Sequence, residues 1–115
     1  MVRIKGGQIS QKRRKNILDD AKGFRWRRKS TIKGAKTALM HAWEYSYRDR
    51  KTKKRVFRRL WEIQINAGCR KFGLPYNQFA SALKKNKIGL DRKILSNLAQ
   101  SKPEIFEKIV KKVKG

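Results

Sequence analysis

At 115 residues the chain has room for one modest domain, and a hydrophobic share of 38% keeps any core small. Its 33 Lys/Arg against 8 Asp/Glu give a formal net charge of +25, which asks for a polyanionic partner. A single cysteine and a single histidine exclude an internal disulfide and a Cys/His zinc site, and no apolar run is long enough for a membrane helix.

The charge is uneven. Residues 1–59 hold 21 Lys/Arg against 4 acids, and residues 60–115 hold 12 against 4, so the first stretch reads as a basic arm and the second as a small helical domain. Met1 to Gly7, with Arg3, Lys5 and the Gly6-Gly7 pair, reads as a flexible basic tail. A short helix follows, with Ser10 as N-cap, Ile17, Leu18 and Ala21 on one side, and Gly23 ending it in a left-handed conformation. Asp19 and Asp20 are adjacent on that helix and do not face each other, so they make no acid/base dyad. In Phe24 to Lys29, FRWRRK, two aromatics sit among four cations: one ring suits core packing, while Trp26 also suits stacking on a splayed base.

From about Ser30 to about Phe72 there is no proline. Apolar residues recur at helical spacing at Ile32, Ala35, Ala38, Leu39, Ala42 and Trp43, and again at Phe57, Leu60, Ile63 and Ala67. This predicts one long helix of about 40 residues, roughly 60 Å, protruding from the compact part, with bending or fraying at Gly34 and around Asp49 to Thr52. Between its two apolar stretches, from Arg48 to Arg59, 8 of 12 residues are Lys or Arg. Such a run repels itself, and phosphates that release their own counterions on binding are the partner that relieves it. Trp61, four residues from both Phe57 and Ile65, is expected to join the long helix to the C-terminal domain, with Glu62 on the exposed side.

Gly73-Leu74-Pro75 ends the long helix. Three short helices are predicted beyond it. The first carries Phe79 and Leu83; the second starts behind Asp91 as N-cap and carries Ile94, Leu95 and Leu98; the third starts at Ser101 through a Ser-x-x-Glu capping box to Glu104. Ile105, Phe106, Ile109, Val110 and Val113 form its core stripe, and Cys69 reads as a small apolar filler. The fold class is all-α. There is no Gly-rich phosphate loop and no catalytic constellation around His41, so neither enzymatic activity nor a cofactor is expected.

Taken together, Tyr47-Arg48-Asp49-Arg50, Phe57-Arg58-Arg59-Leu60-Trp61, Ile65-Asn66-Ala67 with Arg70, Gly73-Leu74 and Asp91-Arg92-Lys93-Ile94-Leu95 resemble the bacterial-type large-subunit ribosomal protein twenty family. The resemblance covers essentially the whole chain, beginning with Arg3 and Lys5 and including Ala21-Lys22-Gly23, which argues against an added transit sequence. The chain departs from the family's usual pattern at Glu62, Gln64, Trp26, Trp43 and Gly34.

The resemblance implies an arm and long helix threaded into large-subunit rRNA and a small helical domain near the subunit surface. It also implies a role in early subunit assembly, contact with the neighbouring ribosomal protein numbered twenty-one, and, in some bacteria, repression of the protein's own messenger. The setting would be a cytoplasmic ribosome, or an organellar one for an organelle-encoded chain. Charge pattern and resemblance together put the rRNA contacts on Arg3, Lys5, Lys12, Arg13, Arg14, Lys22, Arg25, Trp26, Arg48, Arg50, Lys51, Lys54, Arg55, Arg58, Arg59, Asn66, Arg70, Arg92 and Lys93. The competing reading is an architectural or helix-turn-helix DNA binder, since short helices beside a basic arm also dock on a duplex. A membrane-surface helix is disfavoured because residues 48–59 offer almost no apolar face.

Overall fold

The computed structural model describes residues 6–115, which contain helices and no strand. Six helices follow in order: α1 (Gly7–Asp20), α2 (Arg27–Ser30), α3 (Ile32–Arg70), α4 (Tyr76–Lys85), α5 (Arg92–Ser101) and α6 (Pro103–Lys114). The chain divides into two compact units between Lys51 and Thr52.

In the first unit α1 begins earlier than the Ser10 cap predicts. Gly6, at φ 78°, is the N-cap, and Ser10 N–H already donates to the Gly6 carbonyl at 3.0 Å, so Ser10 lies within the first turn. A glycine in the left-handed region makes that entry without steric cost. Gly23 does take positive φ, at 89°, just past the helix end. Ala21, Ala35 and Leu39 are the buried centre, with Ile17, Leu18 and Phe24 packed on them. Of the two aromatic rings in FRWRRK, it is therefore Phe24 that packs inward.

The start of α3 lies hard against α2. A Cβ at Gly34 would fall 2.9 Å from Thr31 Oγ1 and 3.0 Å from the Arg27 carbonyl oxygen, so only glycine fits without movement. Thr31 closes the corner, its hydroxyl donating to the Arg27 carbonyl at 2.7 Å. The helix is unbroken at Gly34 and through Asp49 to Thr52, so of the bending or fraying expected there the fraying is absent.

In the second unit Ile65, Cys69, Phe79, Leu83, Leu95, Phe106, Val110 and Val113 form the core. The rings of Phe79 and Phe106 meet at 5.7 Å between centroids, tilted by 48°. The end of α3 approaches α6 closely at Gly68, where an added Cβ would sit 3.0 Å from Phe106 Cε1 and 3.3 Å from Ala99 Cβ. Burial pushes the Cys69 thiol up to about 11, so it stays protonated at neutral pH and fills space.

The ends of these helices are satisfied in identifiable ways. Past α3, Gly73 has φ 75° and Leu74 N–H donates back to the Cys69 carbonyl at 3.2 Å. The first turn of α4 is served from α3, because Asn66 Oδ1 accepts from Tyr76 N–H at 3.2 Å. Asp91 caps α5 as predicted, accepting from Ile94 N–H at 2.8 Å.

The Ser101 capping box does not form. Pro103 takes the first position of α6 and Lys102 the N-cap, because proline's fixed φ suits that position and its missing N–H leaves no donor to satisfy. Ser101 instead closes α5, its hydroxyl donating to Asn97 Oδ1 at 3.0 Å.

Three core expectations are also corrected. Ile94 and Ile105 are exposed, with Leu95 and Phe106 buried beside them. Phe57, Leu60 and Ile63 are exposed, because α3 turns Ile65 and Cys69 inward instead. Trp61 is half-buried, its ring 6.2 Å from that of Phe57, and Glu62, expected on the exposed side, is half-buried and pairs with Arg92 at 3.2 Å.

Candidate nucleic-acid interface

The first unit presents cations on α1, on the turn after it, beside α2 and along α3. Lys12, Arg13 and Arg14 are exposed on α1, and Lys22 and Arg25 are exposed on the turn that follows. Next comes Trp26, 81% exposed and held at φ 53°. Positive φ is strained for a bulky residue, and here the strain accompanies an indole that reaches outward and not into the core. Arg3 and Lys5 lie outside the described residues.

A groove of about 1010 Å³ lies between α2 and the start of α3. Its floor is made of Gly34, Ala38 and Ala42, small residues recurring every fourth position on one side of α3. Arg27, Arg28 and Lys33 line it together with Phe24, His41 and Tyr45, and no acidic side chain does. These groove residues were absent from the sequence-based set. The signal that marks them is the small-residue spacing at 34, 38 and 42 directly after a cation-rich aromatic segment.

Further along α3 the cations lie over rings. The Arg48 guanidinium carbon is 4.7 Å from the Tyr45 centroid, and Arg48 Nε also meets Asp49 at 3.0 Å. Lys51 Nζ lies 4.5 Å from the Tyr47 centroid and donates to the Tyr47 hydroxyl at 2.8 Å. Such contacts hold long cationic side chains in place while their charge stays at the surface. Arg50 is exposed beside them.

In the second unit, Lys53 Nζ lies 5.8 Å from the Phe57 ring, and Lys54, Arg55, Arg58 and Arg59 are all exposed. Residues 53–59 themselves contain no Asp or Glu. Arg70 and Lys93 are exposed as well. Two of the sequence-predicted contacts have internal duties. Asn66 uses its carbonyl oxygen to cap α4. Arg92 Nε donates to the Tyr76 hydroxyl at 3.0 Å and pairs with Glu62, and its pKa is raised first by that Tyr76 hydrogen bond and then by Glu62. Gln64 is half-buried.

Chemically this is a surface of fixed positive charge with interspersed rings, suited to phosphates, sugars and unstacked bases. No helix among the described residues is long and apolar enough to cross a membrane.

The family model described as "Ribosomal protein L20" matches residues 3–109. The large ribosomal subunit protein bL20 of Leptothrix cholodnii is 52% identical over 115 residues, covering 100% of this chain and 98% of that protein. The bL20 proteins of Methylibium petroleiphilum and Ralstonia nicotianae are each 49% identical over the same 115 residues, again covering 100% of this chain and 98% of theirs. With a model match over nearly its whole length and relatives at half identity end to end, the chain belongs to the ribosomal protein L20 family.

Proposed function

We propose that the chain is a structural component of the large ribosomal subunit, binding large-subunit rRNA and promoting early subunit assembly. Membership of the L20 family over residues 3–109 carries this reading. The exposed cations of α3 supply its mechanism. Each phosphate contact releases condensed counterions, and a chain contacting phosphates on several RNA helices lowers the repulsion that keeps them apart.

In this reading residues 1–59 are the RNA-threading arm and 60–115 the small domain. Contacts to rRNA come from Arg3, Lys5, the α1 cations, Lys22, Arg25, Trp26 and the 48–59 run, together with Arg70 and Lys93. Asn66 and Arg92 contact RNA only through atoms not already used in the fold. In the same reading the protein sits on cytoplasmic ribosomes, or on organellar ones for an organelle-encoded chain, beside other large-subunit proteins, the one numbered twenty-one among them, and its own messenger is a second RNA target in some bacteria.

Crosslinking with mass spectrometry on isolated large subunits tests the assignment, with adducts expected between residues 48–59 and rRNA. Recovery of the chain only in the ribosome-free fraction would defeat it. Replacing Arg58 and Arg59 by Ala should reduce the salt slope of binding to an rRNA fragment by about 1–2 units. An unchanged slope would mean that neither side chain touches phosphate.

A further inference from the structure

The groove beside α2 differs from the rest of the basic surface because it is concave. Cations projecting from the outside of a helix, such as those of 53–59, meet the phosphates of a duplex without any cavity. A groove of about 1010 Å³ exceeds what an ion or a single phosphate fills and falls at the upper end of sites that enclose a small organic molecule. Along α3 it is lined by Gly34, Ala38 and Ala42, which carry at most a methyl group, with Thr31 and Thr37 beside them. Phe24 and Tyr45 are among the lining residues, and Arg27, Arg28 and Lys33 supply positive charge.

We propose that this groove holds an unpaired RNA strand, with at least one unstacked base on its small-residue floor and the flanking phosphates on Arg27, Arg28 and Lys33. The proposal rests on the RNA-binding reading above and specifies which form of RNA this place selects. Bases in a duplex are already stacked and turned inward, so they gain nothing from ring faces and an apolar floor. An unpaired base gains both.

At the corner beside the groove the Thr31 hydroxyl donates to the Arg27 carbonyl at 2.7 Å, and the missing Cβ of Gly34 lets α2 lie close to α3. The lack of any acidic lining residue favours an anionic strand over a neutral peptide. Arg48, over the Tyr45 ring at 4.7 Å, adds a further cation beside the groove.

The test uses the full chain and two probes, a 12-nucleotide single-stranded RNA of mixed sequence and a duplex of the same length, followed by fluorescence anisotropy at one moderate salt concentration. The unmodified chain should prefer the single strand. Ala38→Leu combined with Ala42→Leu fills the floor without altering charge. It should weaken single-strand binding by roughly 10-fold, the size of one lost stacked base, while leaving duplex affinity and its salt slope unchanged. Equal affinity of the filled variant and the unmodified chain for the single strand would overturn the proposal, as would equal weakening on both probes.

A second measurement does not depend on the variant folding. Irradiating the unmodified chain with a 4-thiouridine-substituted single strand should give adducts on the peptides carrying Phe24 or Tyr45, and adducts confined to residues 52–59 would place the strand elsewhere. Displacement of the single strand by polyglutamate of equal charge, as effective as displacement by RNA, would make the groove a general anion cleft and reject the base assignment. If the unmodified chain binds neither probe, the RNA-binding reading itself fails. If it binds both tightly and ignores the filled floor, only the groove proposal fails.

Discussion

The unit ending at Lys51 is centred on Ala21, Ala35 and Leu39, whereas the unit beginning at Thr52 is centred on eight buried residues that include two phenylalanines. Their charges are close: residues 1–51 hold 16 Lys/Arg against 4 Asp/Glu, and residues 52–115 hold 17 against 4. Self-repulsion therefore does not separate the units; buried apolar area does. Two alanines and a leucine remove little surface from water, while a fully buried Phe, Ile or Leu contributes about 1.5–3 kcal/mol. The first unit should depend on RNA to stay ordered, and the second should hold its structure alone.

The largest effect that can break this comparison is in the second unit. Phe106 is buried and touches Phe79, so Phe106→Ala should cost about 3–5 kcal/mol. Denaturant unfolding of the full chain, followed by helix content, measures it. Cys69 reports the same event chemically: its thiol, protonated up to about 11 in the folded unit, should resist iodoacetamide at pH 8 and react rapidly in the variant. The sign is fixed by burial, which disfavours the thiolate in the fold, so this group costs no stability below its unfolded pKa and lowers stability as pH rises from there through about 11. A loss under 1 kcal/mol with Cys69 still protected would mean that the second core does not depend on its phenylalanines.

The matching change in the first unit is Leu39→Ala. With only Ala21, Ala35 and partly buried neighbours around it, the site can collapse, so the loss should lie near the low end for a buried leucine, about 2 kcal/mol. Amide hydrogen exchange resolves it: α1 should lose protection while α4 to α6 keep theirs. An rRNA fragment should restore protection to α1. If α1 in the unmodified chain is already as protected as α6 without RNA, the contrast between the units is wrong.

Gly68→Ala sharpens the contrast on a finer scale. The added methyl would lie 3.0 Å from Cε1 of the buried Phe106 and 3.3 Å from Ala99 Cβ, so overpacking should outweigh the gain in helix propensity by about 1–2 kcal/mol. Thermal unfolding should move to lower temperature. A rise would show that α6 shifts to admit the methyl.

Much of this was legible in the chain. The Asp91 cap, the left-handed Gly23 and Gly73 and the inward Phe79, Leu83, Phe106, Val110 and Val113 follow from local rules that act within one turn. The errors arose where two local signals compete. On α3, the spacing of Phe57, Leu60, Ile63 and Ala67 and that of Trp61, Ile65, Cys69 and Phe72 are both helical; only packing against α4 to α6 decides that the second face is buried. At the α5–α6 junction a capping-box spacing met a proline two residues later, and proline's preference for the first helical position won. The groove at 34, 38 and 42 was missed because a run of small residues reads as good helix, and concavity depends on α2 folding back beside it.

The smallest effect concerns Glu62 and Arg92, which tie α3 to α5. Arg92 Nε lies 3.2 Å from Glu62 Oε1 and 3.0 Å from the Tyr76 hydroxyl, while the two charged side chains remain 44% and 37% exposed. Water and salt therefore screen the pair, and surface pairs of this kind contribute about 0.2–1 kcal/mol. A double-mutant cycle of Glu62→Gln and Arg92→Ala, measured by denaturant unfolding in low salt, should give a coupling of about 0.5 kcal/mol that fades in 1 M salt. Because Arg92 is engaged within the fold, Arg92→Ala should also lower rRNA affinity less than Arg58→Ala does. Absence of coupling together with a large loss of rRNA affinity would reverse the assignment, moving Arg92 from the packing of the second unit to its RNA-facing surface.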